Sequence, residues 1–487
     1  MKGKLNWRGD QISSFWLFAI AAMPSVVALV FYLTAAFTTP FEVNYGEGTT
    51  LYLSTHLGQF YQPLQEPPFI LSIYPPIYAT VTAGVTQLLD DPFFAGRLVS
   101  LLAAGISTFF LITSIRNIRG DCNTVLPIVL GLAFLLSPVV GFKYGIFARV
   151  DMLGVAFGSA AIAFYLRLEG QKQLLTVSIL LVAMLFTKQS LIALPIAIAV
   201  TEFINHRYIR SVKFGILTGI IGLSILGVLV VLSDGVAWTH LVEYNQSVSF
   251  SIYHSLTRLA KFVAVVSPLL GALTLAGISN RSKISPQSFP FVYVTVAFIL
   301  TVFYLTRSGT SLNHALELLL ALHLFAGLIV PKVGKVSLSS QFTAGQILTV
   351  FLSAQLLLPS VAAATVLAPV QAPTGASAVA SNVSEINGPV LSEDVGLTVH
   401  SDRAITNDPL LLNQLAEQGT WNGSLLTERL RRGNISCIVL KRTLAEAEDS
   451  YWTEDTIIAI RRNYQQSTQI GEYHIYGQNN SNAACNQ

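Results

Sequence analysis

The residues FEVNYGEG, from Phe41 to Gly48, open the stretch that decides the fold, and YPPIY follows from Tyr74 to Tyr78. This stretch lies between long apolar runs and contains carboxylates, aromatic side chains and prolines. A connection of about fifty residues is uncommon in a compact protein unless it serves a function. We call it the first loop (Phe41–Pro92) and expect it to cover a functional cavity, with Glu47 as its central acid.

The composition is that of a membrane protein. Of 487 residues, 52% are hydrophobic and 11% are charged, and the mean hydropathy is +0.58. A soluble protein would carry about a quarter charged residues, so the repeated apolar runs indicate membrane spans. The net charge of +3, without a basic run, predicts no nucleic-acid partner.

The positions of basic residues predict how the chain is oriented in the membrane. Lys2, Lys4 and Arg8 precede the first span (about 12–35), which places the N-terminus in the cytoplasm. That run is too long for a signal-peptide core and is interpreted as an anchor. The next apolar run, Ile73–Leu89, is short and ends at two aspartates, which is typical of an interfacial segment. We predict that it is a juxtamembrane helix on the outer face.

With this choice, about eleven spans alternate through the membrane and the chain ends outside. Each predicted inner loop then carries at least two basic residues: Arg116 and Arg119; Arg167 and Lys172; Arg207, Arg210 and Lys213; Arg281 and Lys283; Lys332 and Lys335. We therefore predict a multi-pass protein of the cell membrane, that is, a polytopic α-helical membrane protein with an extracytoplasmic C-terminal domain.

The predicted domains are a transmembrane domain (1–367) that includes the first outer loop (36–92), a linker (368–389) and a small α/β domain (390–487). The linker is rich in Ala, Ser, Pro and Val. In the last domain, helical spacing covers 410–418, 424–432 and 453–464, and 436–440 reads as a buried strand. Cys437 and Cys485 pair or remain two thiols, since three cysteines make no disulfide framework.

Charged side chains at outer span ends are the candidates for chemistry, because ionisable groups at membrane depth are costly unless they face a cavity or a partner. They are Glu42, Glu47, Glu66, Lys143, Arg149, Asp151, Lys188, Glu243, Arg258, Arg307, His314 and Glu317. Carboxylates and dispersed cations on one face suit a reaction between an acceptor nucleophile and an anionic, phosphate-bearing donor.

Each candidate has a second interpretation. Glu47, between two glycines, is either a general base or a solvated turn residue. Asp151 is either catalytic or a cap on the helix that it starts. Arg149, Lys143 and Lys188 either bind a phosphate or pair with Asp151. His314 and Glu317 lie one helical turn apart, but nothing nearby completes a metal site.

The chain resembles the polytopic GT-C glycosyltransferases, in particular members similar to protein O-mannosyltransferases and aminoarabinose transferases. The resemblance covers nearly the whole chain. It rests on the order and placement of these motifs: Asn44-Tyr45-Gly46-Glu47-Gly48, Tyr74-Pro75-Pro76-Ile77-Tyr78, Gly96-Arg97, Ala148-Arg149-Val150-Asp151 and Thr187-Lys188-Gln189.

The resemblance implies transfer of a sugar from a polyprenyl-phosphate carrier to a lipid, glycan or protein acceptor on the outer face. It implies that Glu47 deprotonates or orients the acceptor and that Asp151 supports the acceptor site or a cation. The residues expected to neutralise the donor phosphate are Arg149, Lys188, Arg307 and Lys143. Those expected to line the substrate cavity are Tyr45, Tyr74, Tyr78, Asn313, His314 and Glu317.

One departure from the family concerns metals. Many relatives carry Asp, or an Asp-Glu pair, where this chain has Gly46-Glu47-Gly48. We therefore predict that no cofactor is obligatory, although a divalent cation is compatible with the site.

Two other classes of function predict different patterns of polar residues. A transporter or lipid flippase should carry ionisable groups near the middle of its spans and broken helices in corresponding halves, whereas the polar groups here lie at the span ends. A non-catalytic anchor for the C-terminal domain leaves the acids and cations of the outer loops unexplained.

Overall fold

A computed structural model of the protein describes residues 9–120, 125–246, 250–280, 284–307, 310–331, 344–365, 370–401, 408–447 and 452–479. Several residues used above lie outside these ranges: the N-terminal basic residues, the cations predicted at 281–283 and 332–335, and Cys122 and Cys485. The predicted pairing of Cys437 with Cys485 is therefore outside the described residues.

Most of the chain is helical. The helices before the C-terminal unit are α1 (Gly9–Thr38), α2 (Glu47–Thr55), α3 (Ile77–Leu89), α4 (Pro92–Arg119), α5 (Val125–Leu135), α6 (Asp151–Arg167), α7 (Gly170–Leu185), α8 (Ala193–Ile204), α9 (Tyr208–Leu232), α10 (Val236–Trp238), α11 (Tyr244–Gln246), α12 (Ile252–Ser279), α13 (Phe289–Leu305), α14 (Leu316–Ile329) and α15 (Ala344–Thr365).

Six described helices are long and apolar enough to cross a membrane. Their apolar parts are Phe15–Thr38, Pro92–Arg119, Tyr208–Leu232, Ile252–Ser279, Leu312–Ile329 and Ala344–Ala364. Helix α9 has an apolar surface of the kind that faces lipid: Ile209, Leu223 and Val231 are 74%, 69% and 76% exposed. Such apolar exposure requires lipid around it. The predicted multi-pass helical architecture is confirmed.

The other five predicted spans coincide with α5, α6, α7, α8 and α13, which have 11, 17, 16, 12 and 17 residues. A helix therefore lies at the position of each predicted span. After α5, a π-helix (Val140–Tyr144) carries the chain into a tightly folded connection, which we call the second loop (Gly141–Val150).

The first loop contains two helices, α2 and α3. Helix α3 has 13 residues, so it is about 20 Å long, which is short of the about 30 Å of a bilayer core. Leu88 is 81% exposed near its end. Next, Asp91 caps α4 by accepting a hydrogen bond from the backbone N–H of Phe94 at 3.0 Å, and Pro92 takes the first helical position. This start fixes the helix that carries Arg97.

The C-terminal unit is a small α/β structure. Its helices are α16 (Ala376–Glu385), α17 (Val395–His400), α18 (Pro409–Glu417), α19 (Ser424–Arg431), α20 (Leu444–Ala447) and α21 (Glu454–Asn463). Its strands β1 (Val390–Ser392), β2 (Cys437–Leu440), β3 (Tyr464–Ile470) and β4 (Tyr473–Gln478) form one sheet in the order β1-β2-β4-β3. The β1–β2 pair is parallel, and the other two pairs are antiparallel.

The segment predicted as a linker is partly structured. Helix α16 lies within it, and Val379 and Val383 of this helix are buried in the same apolar cluster as Val390 and Ile475. The composition suggested a linker because alanine and serine dominate the segment, but the two valines lie one helical turn apart and give the helix an apolar face.

The C-terminal unit packs on the first loop. Phe69 and Leu71 of the loop share a buried cluster with Leu412 and Trp421 of the unit. The indole N–H of Trp421 also donates to the backbone carbonyl of Leu64 at 3.0 Å. This contact brings the C-terminal unit over the end of the helical bundle that carries the candidate site.

Candidate active site

A cavity of about 310 Å³ lies between the first loop, the second loop and the C-terminal unit. All three parts contribute polar side chains to its wall. The polar and charged residues among those that line it are Asn44, Tyr45, Thr49, Thr50, Ser72, Tyr74, Tyr78, Lys143, Tyr144, Arg149, Ser311, Asp408 and Gln414.

One wall of the cavity is cationic. Arg149 and Lys143 both come from the second loop and both line the cavity. Burial lowers the pKa of Lys143, and the positive charge of Arg149 lowers it further. The electrostatic repulsion between the two cations is reduced when an anion binds between or beside them.

A buried cluster holds Arg149 in place. Its Nε donates to Asp151 at 3.3 Å, and its Nη1 donates to the backbone carbonyl of Tyr45 at 2.5 Å. Asp151 also accepts hydrogen bonds from Lys188 and, at 2.9 Å, from Asn313. Asp151 and Lys188 are fully buried, and neither they nor Asn313 are among the residues that line the cavity. The cluster lies behind the cationic wall and orients it.

Glu47 is fully buried in an ion pair with Arg97 of α4. Arg97 Nε and Nη2 donate to the two carboxylate oxygens, each at 3.0 Å. Three backbone N–H groups, those of Val43, Asn44 and Ala148, donate to the same carboxylate at 2.9–3.2 Å. These five hydrogen bonds fix the position of the Glu47 carboxylate between the first loop, the second loop and α4.

Arg97 completes this buried pair. Its remaining N–H groups donate to the carbonyls of Ala36, Thr39 and Phe41 at 2.5–2.7 Å. The pair thus joins the end of α1, the first loop, α4 and the second loop. Glu47 is not among the residues that line the cavity, and the general-base role expected of it stays a prediction.

The C-terminal unit supplies a carboxylate that the sequence interpretation missed. Asp408 lines the same cavity and accepts hydrogen bonds from Tyr45 Oη at 2.5 Å and Thr49 Oγ1 at 2.9 Å. Burial raises the pKa of Asp408, and these two hydrogen bonds lower it in part. The Asp408-Pro409 pair reads in sequence as an ordinary helix start, and nothing in the sequence connects it to the first loop.

The aromatic residues predicted in the cavity are on its wall. Tyr45, Tyr74 and Tyr78 all line it. Tyr78 is fully buried and donates to the carbonyl of Gly96 at 2.8 Å, so it joins α3 to α4 beneath the cavity. Gly46 has φ of 90°, and a Cβ there would lie 2.9 Å from Arg149 Nη1, so this close approach favours glycine.

Three further predicted site residues, in addition to Glu47, Asp151, Lys188 and Asn313, do not line the cavity. Glu317 accepts the N–H groups of Ala193 and Leu194 at 3.2 and 3.0 Å, so it satisfies the start of α8. The ring of His314 packs against Tyr304, with 5.2 Å between centroids. Arg307 donates to the carbonyl of Asn245. Each of the three residues thus contacts another part of the chain, and the site roles expected of them stay predictions.

Among the described residues, no group of three or more His, Cys, Asp and Glu side chains is placed so that it could hold a metal ion.

A second carboxylate ties the C-terminal unit to the first loop. Glu42 is 5% exposed and accepts the N–H groups of Gly46, Gly48 and Gly396 at 2.9, 3.2 and 3.0 Å. Burial raises the pKa of Glu42 to about 8; the negative charge of Asp394 contributes to the rise and Lys441 opposes it.

Stability is therefore expected to depend on the ionisation of Glu42. Between pH 4.5 and 8 the folded protein binds the proton of the Glu42 carboxyl group more tightly than the unfolded chain does. The contribution of Glu42 to the free energy of unfolding therefore falls as the pH rises. Glu42→Gln should flatten the decline in thermal unfolding temperature over that window, whereas Glu428→Gln, at a glutamate whose side chain is 46% exposed, should not. An unchanged slope in Glu42→Gln would contradict the assignment.

The fold and its loop-bounded cavity define a multi-pass membrane protein of the GT-C fold class. The chain is similar to ArnT from Cupriavidus metallidurans in the apo state (TM-score 0.62, 12% identity, 94% of this chain and 97% of that chain). It is similar to the same protein bound to undecaprenyl phosphate (TM-score 0.64, 12% identity, 95% and 98%). An oligosaccharyltransferase from Archaeoglobus fulgidus, in complex with Zn and sulfate, also matches (TM-score 0.51, 10% identity, 95% and 73%).

At these identities the likeness establishes the fold. No protein-family model and no curated protein sequence matches the chain.

Proposed function

We propose that the protein is a membrane glycosyltransferase that moves a sugar from a polyprenyl-phosphate carrier to a lipid, glycan or protein acceptor. The observation that carries this proposal is the pair of cations on the cavity wall, Arg149 and Lys143, at the end of a lipid-embedded bundle. The fold supports it, because ArnT of the same fold binds undecaprenyl phosphate.

The donor phosphate is held by Arg149 and Lys143. Arg149 Nε and Nη1 are engaged by Asp151 and the carbonyl of Tyr45, and Nη2 makes no hydrogen bond to the described residues, so this nitrogen can meet a phosphate oxygen. Lys188 and Asp151 act through Arg149 as positioning residues. As the bond between sugar and phosphate breaks, charge accumulates on the phosphate, and prepositioned cations stabilise that charge.

The site is oriented to the outer face of the cell membrane, with the N-terminus in the cytoplasm. The polyprenyl chain stays in the lipid beside the bundle, and the acceptor approaches beneath the C-terminal unit. Leu410, Leu411 and Gln414 of that unit form part of the cavity wall, which supports this direction of approach.

Ligand binding and turnover by the purified protein test the proposal. In lipid nanodiscs, the protein should bind undecaprenyl phosphate in preference to undecaprenol, which lacks the phosphate. It should also release undecaprenyl phosphate from at least one of a set of radiolabelled donors: undecaprenyl-phosphate-linked mannose, glucose and aminoarabinose, supplied with a membrane extract as acceptor. Equal affinity for the phosphate and the alcohol, together with no consumption of any donor, would overturn the proposal.

A further inference from the structure

Asp408 is the one carboxylate among the described residues that line the cavity. It reaches the cavity from the C-terminal unit, whereas Lys143 and Arg149 reach it from the second loop. The cavity thus has an anionic side and a cationic side that come from different parts of the chain.

The partners of Asp408 distinguish it from Glu47 and Asp151. Glu47 is bound by Arg97, and Asp151 is bound by Lys188 and Arg149. Asp408 is held by two hydroxyl groups, those of Tyr45 and Thr49, and by the backbone N–H of Leu411, all of which are uncharged donors. Hydroxyl donors orient a carboxylate without cancelling its charge, so its oxygens retain the ability to accept a further proton.

The protonation equilibrium of Asp408 agrees with this geometry. Burial raises the pKa of Asp408 above the ordinary 3.8, which makes the carboxylate a stronger base than an exposed aspartate. The other titratable groups that share the cavity wall with it are Tyr45, Tyr74, Tyr78, Lys143, Tyr144 and Arg149.

We propose that Asp408 is the general base that accepts the proton of the acceptor's hydroxyl group, and that the acceptor therefore binds on the side of the C-terminal unit. This inference rests on the proposed glycosyl transfer. The acceptor oxygen forms a bond to the anomeric carbon of the sugar, and the bond from that carbon to the phosphate oxygen breaks. Its electron pair leaves with polyprenyl phosphate beside Arg149 and Lys143, and the acceptor proton moves to Asp408.

A purely structural role makes a different prediction. Asp408 precedes α18, and an asparagine serves as well as an aspartate at a helix start and accepts hydrogen bonds from hydroxyl groups. Asp408→Asn should therefore preserve the fold while it removes the base: its amide oxygen accepts from one of the two hydroxyl groups, and its amide N–H donates to the oxygen of the other.

The test is turnover by Asp408→Asn in nanodiscs, with the donor that the parent protein consumes and the same membrane extract. We expect kcat to fall about 100-fold or more, as for the loss of a general base, while binding of undecaprenyl phosphate is not weakened. Asp394→Asn is the matched control. Asp394 is also a buried aspartate at a helix start, and it accepts from Tyr473 Oη at 2.8 Å, but it does not line the cavity. This control should retain most of the parent's turnover.

The pH profile supplies a readout that a structural role would not move. The parent's kcat/KM should fall at acid pH as Asp408 becomes protonated, and Asp408→Asn should lack this fall. Tyr45→Phe removes a hydrogen bond that lowers the pKa of Asp408, so the fall should begin at a higher pH.

The outcomes separate the two proposals. Turnover by Asp408→Asn at the parent's rate, or an unchanged acid limb in both variants, would overturn the role of Asp408 and leave glycosyl transfer standing. A parent protein that neither binds undecaprenyl phosphate nor consumes a donor would overturn both.

Discussion

Replacing Arg149 with glutamine is expected to weaken binding of undecaprenyl phosphate about 10- to 100-fold, because a hydrogen bond to a charged group contributes about 1.5–3 kcal/mol. Arg149 is 18% exposed and is the cavity cation that Asp151 orients directly. Its loss removes both the charge and the planar donor geometry that suits a phosphate. The measurement is a binding titration of undecaprenyl phosphate with the purified protein in nanodiscs, at fixed ionic strength.

Two further variants sharpen this result. Arg149→Lys keeps the charge but loses the fork of donors, so its affinity should lie between those of the parent and Arg149→Gln. Arg432→Gln removes an arginine that is 67% exposed and pairs with Glu428 on the surface of the C-terminal unit, so it should bind like the parent. Parent-like affinity in Arg149→Gln, or an equal loss in Arg432→Gln, would remove Arg149 from the phosphate site.

The helices were predictable because the lipid environment imposes a simple rule on the sequence. Apolar runs ending in basic residues marked the spans, and the two aspartates after Leu89 distinguished α3 from them. Helix α3 begins at Ile77, directly after the two prolines. Proline is tolerated at a helix start because its missing N–H would have no partner there. The β2 strand was equally visible, because a continuous apolar run bounded by polar residues indicates a buried strand.

The contacts of the site were not predictable, since they join residues that are distant in sequence. Asp408 accepts a hydrogen bond from Tyr45, which lies 363 positions away in the sequence. No local sequence pattern indicates that these two residues are in contact. Arg97 did leave a signal: a charged residue inside an apolar run must have a partner. The sequence could not show that this partner is Glu47. It also could not show that Glu317 accepts hydrogen bonds from backbone N–H groups of another helix.

Replacing Arg97 with methionine is expected to destabilise the protein by about 3–5 kcal/mol, because it leaves the buried charge of Glu47 without its counterion. It also removes the donors to the carbonyls of Ala36, Thr39 and Phe41. Glu47→Gln should be destabilising as well, since it leaves Arg97 charged and buried. The measurement is the free energy of unfolding in detergent, from denaturant titrations of each variant.

The double variant Arg97→Met/Glu47→Gln separates a positioning role from catalysis. Removing both charges avoids an unpaired buried ion, so the double variant should be less destabilised than the sum of the two single variants. If Glu47 acts by positioning the two loops, turnover lost in Glu47→Gln should be partly recovered in the double variant as the folded structure is regained. If Glu47 were the general base, the double variant would recover stability without turnover, because no carboxylate would be there to accept the proton. Measuring both quantities in the same preparation therefore decides whether Glu47 supports the cavity or reacts in it.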